Sequence, residues 1–234
     1  MNEPLPIVLV PGLNCSARLY AEQIPALWPR GAVTVADHRH DDSIPAIARR
    51  ILAAAAPRFA LVGLSMGGFI AMEIVKQAPE RVRRLALLDT NARADTPERS
   101  ENRRGLNAMA ESGRFGAVVD ILFPTFVHRR RHGDAALKAI VRTMAEETGV
   151  EAFVRQQNAL IDRVDARPYL KSIVCPTLVL VGDGDILTPP ELSQEIVDSI
   201  HDAKLVVVPD CGHLSTLEQP EAVNKALLDW LDWT

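Results

Sequence analysis

Six short apolar runs, most of them leading into a helical pattern, constrain the fold of this chain more than any other feature. The runs cover residues 6–10, 32–36, 59–62, 85–88, 177–181 and 205–208, and they are rich in Val, Ile and Leu. Between them the spacing predicts helices over 18–28, from a cap at Asp42 or Ser43 to about residue 56, and over 69–77, 191–200 and 220–231. Pro220 opens the last of these at a first-turn position, where its missing N–H costs nothing. Strands this apolar leave no polar face for solvent, so they predict a mostly parallel sheet of about six strands with helices on both faces. Right-handed crossovers then bring the functional loops together at the C-terminal edge of the strands.

One segment departs from this alternation. Residues 91–172 contain no strand pattern; Thr96-Pro97 reads as a cap and first turn, and 135–147 and 151–161 read as helices. A connection of roughly 80 residues is far longer than the links inside compact domains. The reading is therefore a core built from 1–90 and 173–234, with 91–172 as a helical lid insert leaving the sheet at a strand's C-terminal end. The insert carries 14 Lys and Arg against 11 Asp and Glu, while the whole chain has 26 against 30. The insert is thus cationic against an anionic body, through His128-Arg129-Arg130-Arg131-His132 and through Arg99, Arg103 and Arg104.

Composition removes several classes of function. At 234 residues with a formal net charge of -4 and 5% aromatic residues, the chain offers neither a global positive field nor a stacking surface for nucleic acid. No apolar run approaches the ~20 residues of a membrane span. The start, Met1-Asn2-Glu3-Pro4 with an apolar stretch stopped at Pro11-Gly12, is too short for a secretory leader. Cys15, Cys175 and Cys211 have no metal-type spacing and cannot all pair, which points to a reducing, cytoplasmic setting.

The chemistry sits in the loops at one sheet edge. Gly63-Leu64-Ser65-Met66-Gly67 lies between an apolar strand and an apolar helix, the context of a nucleophile held on a sharp strand-to-helix turn. A serine hydroxyl needs a base to become nucleophilic near neutrality. Of His38, His40, His128, His132, His201 and His213, His213 lies just past the last strand and before the last helix, in a loop at the same sheet edge as Ser65; His201 falls at the opposite edge. A carboxylate is needed to fix the imidazole, and Gly182-Asp183-Gly184-Asp185 follows the fifth strand at that edge. Asp185 lies further out, where a loop can reach across; Asp183 is the alternative, more simply a turn cap, and Asp89 is a third. The backbone N–H groups of Met66 and, from the loop after the first strand, Leu13 are the candidate oxyanion donors. Asp37-His38-Arg39-His40-Asp41-Asp42 is dense in metal-ligand types, but no second histidine cluster follows; it reads as a polar loop with Asp caps.

Together with Val10-Pro11-Gly12-Leu13, Leu87-Leu88-Asp89-Thr90, Pro189-Pro190 and Gly212-His213 with Glu218 and Pro220, these motifs make the chain resemble the α/β-hydrolase superfamily, in its small lidded serine esterase-like members. The resemblance covers nearly the whole chain and implies the α/β-hydrolase fold, with about six strands rather than eight. Its G-x-x-D pattern selects Asp185 over Asp183. The chain departs from the family's frequent His-Gly in the first loop by having Pro-Gly there. The implied activity is hydrolysis of a small carboxylic ester or related acyl substrate, with Ser65, Asp185 and His213 as catalytic residues and no cofactor or metal; the cationic insert reads either as solvated helix faces or as attraction for an anionic or carrier-bound substrate. Enol-lactonases, carbon–carbon bond hydrolases and cofactor-free perhydrolases share the same scaffold, and some triad-bearing proteins of the fold are ligand receptors.

Overall fold

The computed structural model describes residues 4–233. Met1, Asn2 and Glu3, part of the leader reading, lie outside the described residues. From the N-terminus, β1 (Ile7–Val10) leads through a 3₁₀ turn to α1 (Gln23–Leu27) and β2 (Val33–Val35). α2 (Ile44–Ala54), β3 (Phe59–Leu64), α3 (Met66–Gln77) and β4 (Val82–Leu88) follow. Five helices come next: α4 (Pro97–Met109), α5 (Phe115–Phe126), α6 (Ala135–Thr148), α7 (Val150–Ile161) and α8 (Arg167–Leu170). The chain returns as β5 (Thr177–Gly182), α9 (Pro190–Ser199), β6 (Ala203–Val208), α10 (Ser215–Glu218) and α11 (Pro220–Leu231).

The six strands form one sheet in the order β2-β1-β3-β4-β5-β6, and every pairing is parallel. Alternate side chains point to opposite faces, as the pleat requires. Ile7 and Leu9 of β1, with Ala60, Val62 and Leu64 of β3, pack into a layer with Leu27, Leu227 and Trp230. Val8 and Val10, with Phe59 and Leu61, pack against Ile47, Ile70 and Ile196 of α2, α3 and α9. Both faces are covered, which is why β1, β3 and β5 are apolar at nearly every position and wholly buried. Each large aliphatic side chain so buried contributes about 1.5–3 kcal/mol. The two edge strands, β2 and β6, are only partly buried. β1 leads outward to β2 on one side, and the chain then crosses back to β3 on the other. The strand order therefore reverses between β1 and β3, the point where sheets of this kind place their binding crevice.

Several elements differ from the sequence reading, each for a local reason. The helix expected over 18–28 is broken into a 3₁₀ turn at Ala17–Tyr20, α1 and a second 3₁₀ turn at Trp28–Arg30. Pro25 and Pro29 remove the amide donors that a continuous helix would need. α3 begins at Met66 rather than at residue 69, because the chain enters it directly from Ser65. β4 starts three residues early, at Val82. It includes Arg84, whose guanidinium donates to the carbonyls of Trp230 and Trp233 at the end of α11. Between β4 and β5 the structure is helical, with no strand. Thr96 caps α4, its hydroxyl accepting from the Arg99 N–H. α5 was not anticipated; Pro124 lies inside it, in the last turn.

Candidate active site

Ser65 occupies the turn between β3 and α3 with φ 55° and ψ -114°, in the left-handed region that serine rarely adopts. Two features hold this conformation. The Ser65 N–H donates to Leu88 O (2.9 Å), and the Thr90 hydroxyl donates to Ser65 O (2.8 Å). The glycines leave the room it needs: a Cβ on Gly67 would sit 2.0 Å from Val10 O, and one on Gly63 would sit 2.2 Å from Gly67 O. Such strain persists only where the surroundings over-determine it, and it concentrates at functional sites.

His213 reaches Ser65 from the loop between β6 and α10. Its Nε2 lies 2.8 Å from Ser65 Oγ, and its Nδ1 lies 2.8 Å from Asp185 Oδ2. The loop is anchored on three sides. The N–H groups of His213 and Leu214 both donate to Phe126 O (3.1 and 3.0 Å), at the end of α5. The Glu218 carboxylate accepts from the N–H groups of Gly212 (2.9 Å) and His128 (2.8 Å), and the Phe126 ring lies stacked beside the imidazole, 6.2 Å between centroids. Asp185 is equally fixed: its carboxylate also accepts from Leu187 N–H (2.9 Å), Thr188 N–H (3.0 Å) and the Thr188 hydroxyl (2.6 Å). Burial alone would disfavour the Asp185 charge. The imidazole and the Thr188 donors outweigh it and hold the carboxyl below the usual range. Burial likewise opposes a charged His213, but Asp185, with Asp89 and Glu218 further off, raises its pKa above the ordinary imidazole value. With Asp185 ionised, Nδ1 carries the proton and Nε2 presents its lone pair to Ser65 Oγ.

The other acids have different work. Asp183 accepts from the Cys211 N–H (3.2 Å) and ties the β5 and β6 loops together. Asp89 is buried, accepts from the Gly182 N–H (3.0 Å) and the Ser215 hydroxyl, and makes no hydrogen bond to His213. Burial, with the nearby Asp185 charge, pushes the Asp89 carboxyl well above its usual range. His201 is exposed at the start of β6, at the far edge of the sheet.

Leu13 and Met66 flank Ser65 from the β1 loop and the first turn of α3, and among the described residues neither N–H has a protein acceptor. Two residues hold the β1 loop: His38, read from the sequence only as part of a polar loop, and Gln156, which the sequence did not single out. His38 Nε2 donates to Gly12 O (2.9 Å), and Gln156 Oε1 of α7 accepts from the Asn14 N–H (2.9 Å). Burial lowers the His38 pKa and outweighs the opposing effect of the bond to Gly12 O. Elsewhere in the 37–42 loop, Asp37 pairs with Arg39 and accepts a hydrogen bond from His40 Nε2 (3.1 Å), and Asp41 pairs with Arg50. Ser43 occupies the N-cap of α2 without a side-chain capping bond, so the Asp caps read from the sequence do not form. Among the described residues, His, Cys, Asp and Glu form no group of three or more arranged to hold a metal.

Ser65 and His213 open into a cleft of about 270 Å³ between the sheet edge and helices α4, α5 and α7. Its walls are largely apolar, with Leu13, Phe69, Leu106, Leu122, Phe126 and Leu160 among them. Arg129 and Arg130 lie instead along a separate groove, with Arg130 paired to Asp210. Arg131 pairs with Asp134. The most conspicuous basic run in the sequence is thus outside the cleft. Three other arginines, Arg99, Arg103 and Arg163, line it.

Residues 7–226 match the family model described as the alpha/beta hydrolase family. A Mycobacterium tuberculosis protein named as a non-heme bromoperoxidase, BpoC, is 30% identical over 182 residues, 72% of this chain and 66% of that one, just under two thirds of its length. Among solved structures, a thermophilic esterase from Thermogutta terrifontis superposes with a TM-score of 0.88 at 28% identity, covering 97% of this chain and 89% of that one. The enol-lactonase from Burkholderia xenovorans superposes with a TM-score of 0.90 at 25% identity, covering 99% and 93%. A single parallel sheet of six strands, a serine on a strained strand-to-helix turn and a family match across nearly the whole chain agree: this chain belongs to the α/β hydrolase family.

Proposed function

We propose that this hydrolase cleaves a small carboxylic ester or lactone through an acyl-enzyme on Ser65, with 91–172 acting as a lid over the cleft. The observation that carries the reading is the continuous pair of 2.8 Å contacts from Ser65 Oγ to His213 Nε2 and from His213 Nδ1 to Asp185. Ser65 Oγ attacks the carbonyl carbon while His213 Nε2 takes the hydroxyl proton. Asp185 fixes the tautomer and stabilises the imidazolium that forms. The Leu13 and Met66 N–H groups receive the developing oxyanion, and the helical N-terminus at Met66 adds a favourable partial charge. His213 then returns its proton to the departing alkoxide, and the carbon–oxygen bond breaks. Water, deprotonated by the same imidazole, hydrolyses the acyl-enzyme and regenerates Ser65. The likeness to an esterase and to an enol-lactonase supports oxygen-ester and lactone substrates over other acyl classes.

A fluorophosphonate probe on the intact protein tests the nucleophile. The expected result is a single adduct at Ser65 and loss of turnover across a panel of short and medium acyl esters and lactones, with Ser65→Ala inert to both probe and substrates. Labelling elsewhere, or full turnover by Ser65→Ala, overturns it.

A further inference from the structure

The cleft that holds Ser65 and His213 is lined by three arginines and by no carboxylate. Arg99, Asn102, Arg103 and Leu106 all line it, at the i, i+3, i+4, i+7 spacing of one helix face, so α4 turns a cationic stripe toward the site. Arg163 joins them from just beyond α7, its ring-stacked guanidinium 4.4 Å from the Phe69 centroid. Behind the wall, one buried acid serves two of these cations. Asp95 lies 2.8 Å from Arg103 Nε and 2.8 Å from Arg163 Nη1. That leaves an excess of positive charge, increased by Arg99, at a wall where Arg163 is almost fully buried. Burial, offset by Asp95 and reinforced by the charges of Arg103 and Arg99, pushes Arg163 down to about 10. Arg163 also donates to the carbonyls of Arg93 (3.0 Å) and Leu160 (2.8 Å), but one carboxylate shared by two guanidiniums leaves a net positive charge, which is costly at a buried wall unless a counter-charge arrives.

A second observation concerns Gln157 of α7, which is fully buried and lines the same wall. Its Oε1 accepts from Arg103 Nη1 (2.6 Å). Because a guanidinium only donates, the amide orientation is fixed, and Gln157 Nε2 is left as a buried donor with no partner among the described residues. Buried polar groups are otherwise almost always satisfied. Cations in excess together with an orphaned N–H₂ donor describe a receptor for an acceptor-only anion with two oxygens.

We propose that Arg99, Arg103, Arg163 and Gln157 form a carboxylate subsite in the Ser65 cleft, so that the substrate is an ester or lactone bearing a free carboxylate. The inference rests on Ser65 being the nucleophile. The apolar side chains of Leu13, Phe69, Leu106, Leu122 and Leu160 in the same cleft suit the hydrocarbon between the two ends of such a molecule. Guanidiniums match a carboxylate with paired, charge-assisted hydrogen bonds.

The test is kcat/KM for monomethyl and dimethyl esters of a series of linear dicarboxylic acids, which differ only in the second carboxyl being free or capped. The intact protein should prefer the monoester at one or two chain lengths, and the preference should shrink as salt rises. Arg103→Gln and Gln157→Leu should each lower the monoester-to-diester ratio by roughly tenfold to a hundredfold, the range of a hydrogen bond to a charged group. Arg129→Gln, outside the cleft, should leave the ratio alone. Calorimetry on Ser65→Ala reads the subsite without turnover: the monoester should bind more tightly than the diester, and adding Arg103→Gln should remove the difference. Ser65-dependent turnover with equal ratios in all variants overturns the subsite but keeps the nucleophile. Turnover that survives Ser65→Ala overturns the nucleophile instead. Equal binding of the two esters by Ser65→Ala overturns the subsite whatever the turnover.

Discussion

Replacing Asp185 by Asn tests the site most directly, because the surroundings dictate what the amide must do. Asp185 Oδ1 accepts from two backbone N–H groups, those of Leu187 and Thr188, so an Asn at this position keeps its Oδ1 there. The amide nitrogen then takes the place of Oδ2, which now accepts from the Thr188 hydroxyl and from His213 Nδ1. An N–H₂ group cannot accept either proton. It donates to His213 Nδ1 instead and moves the ring proton to Nε2, facing Ser65 Oγ, where it blocks proton abstraction. Amidating the triad acid of a serine protease costs about 10⁴ in kcat through the same wrong tautomer, equivalent to about 5.4 kcal/mol of barrier. Asp185→Asn is expected to lose a factor of that order with the fold intact, read as kcat on any ester the protein turns over. The pH profile supplies an independent reading. His213 must be neutral to act as base, and its pKa is raised above the ordinary 6.5 in large part by Asp185, so kcat/KM should fall as pH drops through a midpoint above 6.5. Without the Asp185 charge, burial is the dominant remaining influence, and that midpoint should move downward. Asp89→Asn is the control. Its Oδ1 keeps the Gly182 N–H, and its amide donates to the Ser215 oxygen, so turnover should change little. Near-normal kcat and an unmoved acid limb in Asp185→Asn, or collapse in Asp89→Asn alone, would refute the assignment.

Thr188→Val removes one hydroxyl bond to the Asp185 carboxylate; a tenfold to hundredfold loss of kcat is expected, roughly what a charge-assisted bond supplies, and unchanged kcat would deny Thr188 this role. Gly67→Ala would force a Cβ to within 2.0 Å of Val10 O, and a loss of about 3 kcal/mol or more of stability should appear as a lowered Tm or insoluble protein. Gln156→Leu orphans the Asn14 N–H in the loop that carries Leu13; kcat should fall by roughly tenfold with a smaller change in KM, whereas an effect on KM alone would point to substrate contact instead. Turnover is expected to survive exhaustive chelation; loss with rescue by zinc or manganese would return attention to the loop holding His38 and His40.

The sheet was legible because its strands are buried on both faces, which removes the ambiguity of a half-polar pattern. The candidate site was legible because each of its reactive groups follows a strand directly: Ser65 after β3, Asp185 after β5, His213 after β6. In a parallel sheet, that position alone brings distant segments to one edge. Helix ends were less legible where proline chemistry or the elbow reset them, as at Pro25 and Met66. The supporting residues were hidden for another reason. Gln156 acts through a backbone N–H 142 residues away, and Thr188, though only three residues from Asp185, carries no mark that separates it from an ordinary loop residue; Glu218 was visible as part of a motif, but its carboxylate's hold on the His213 loop was not.

Charge shows the same limit, and it is a limit of counting. Summed over 91–172, the insert is cationic, and the eye goes to Arg129-Arg130-Arg131 because those residues are adjacent. Adjacency on a chain is not adjacency on a face, and two of these three are neutralised by Asp210 and Asp134 on the exterior. The arginines that reach the cleft are spaced by four on one helix, Arg99 and Arg103, or stand alone beyond another, Arg163. The periodicity of α4 was therefore the usable signal: reading Arg99, Asn102, Arg103 and Leu106 as one stripe predicts a helix face that is cationic where it meets the site and apolar one turn on. Arg99 is open to solvent at the rim of the cleft, but Arg103 and Arg163 are largely buried beside it, and solvation cannot account for charge held there. Something of opposite charge must complete it, and Asp95 supplies only part.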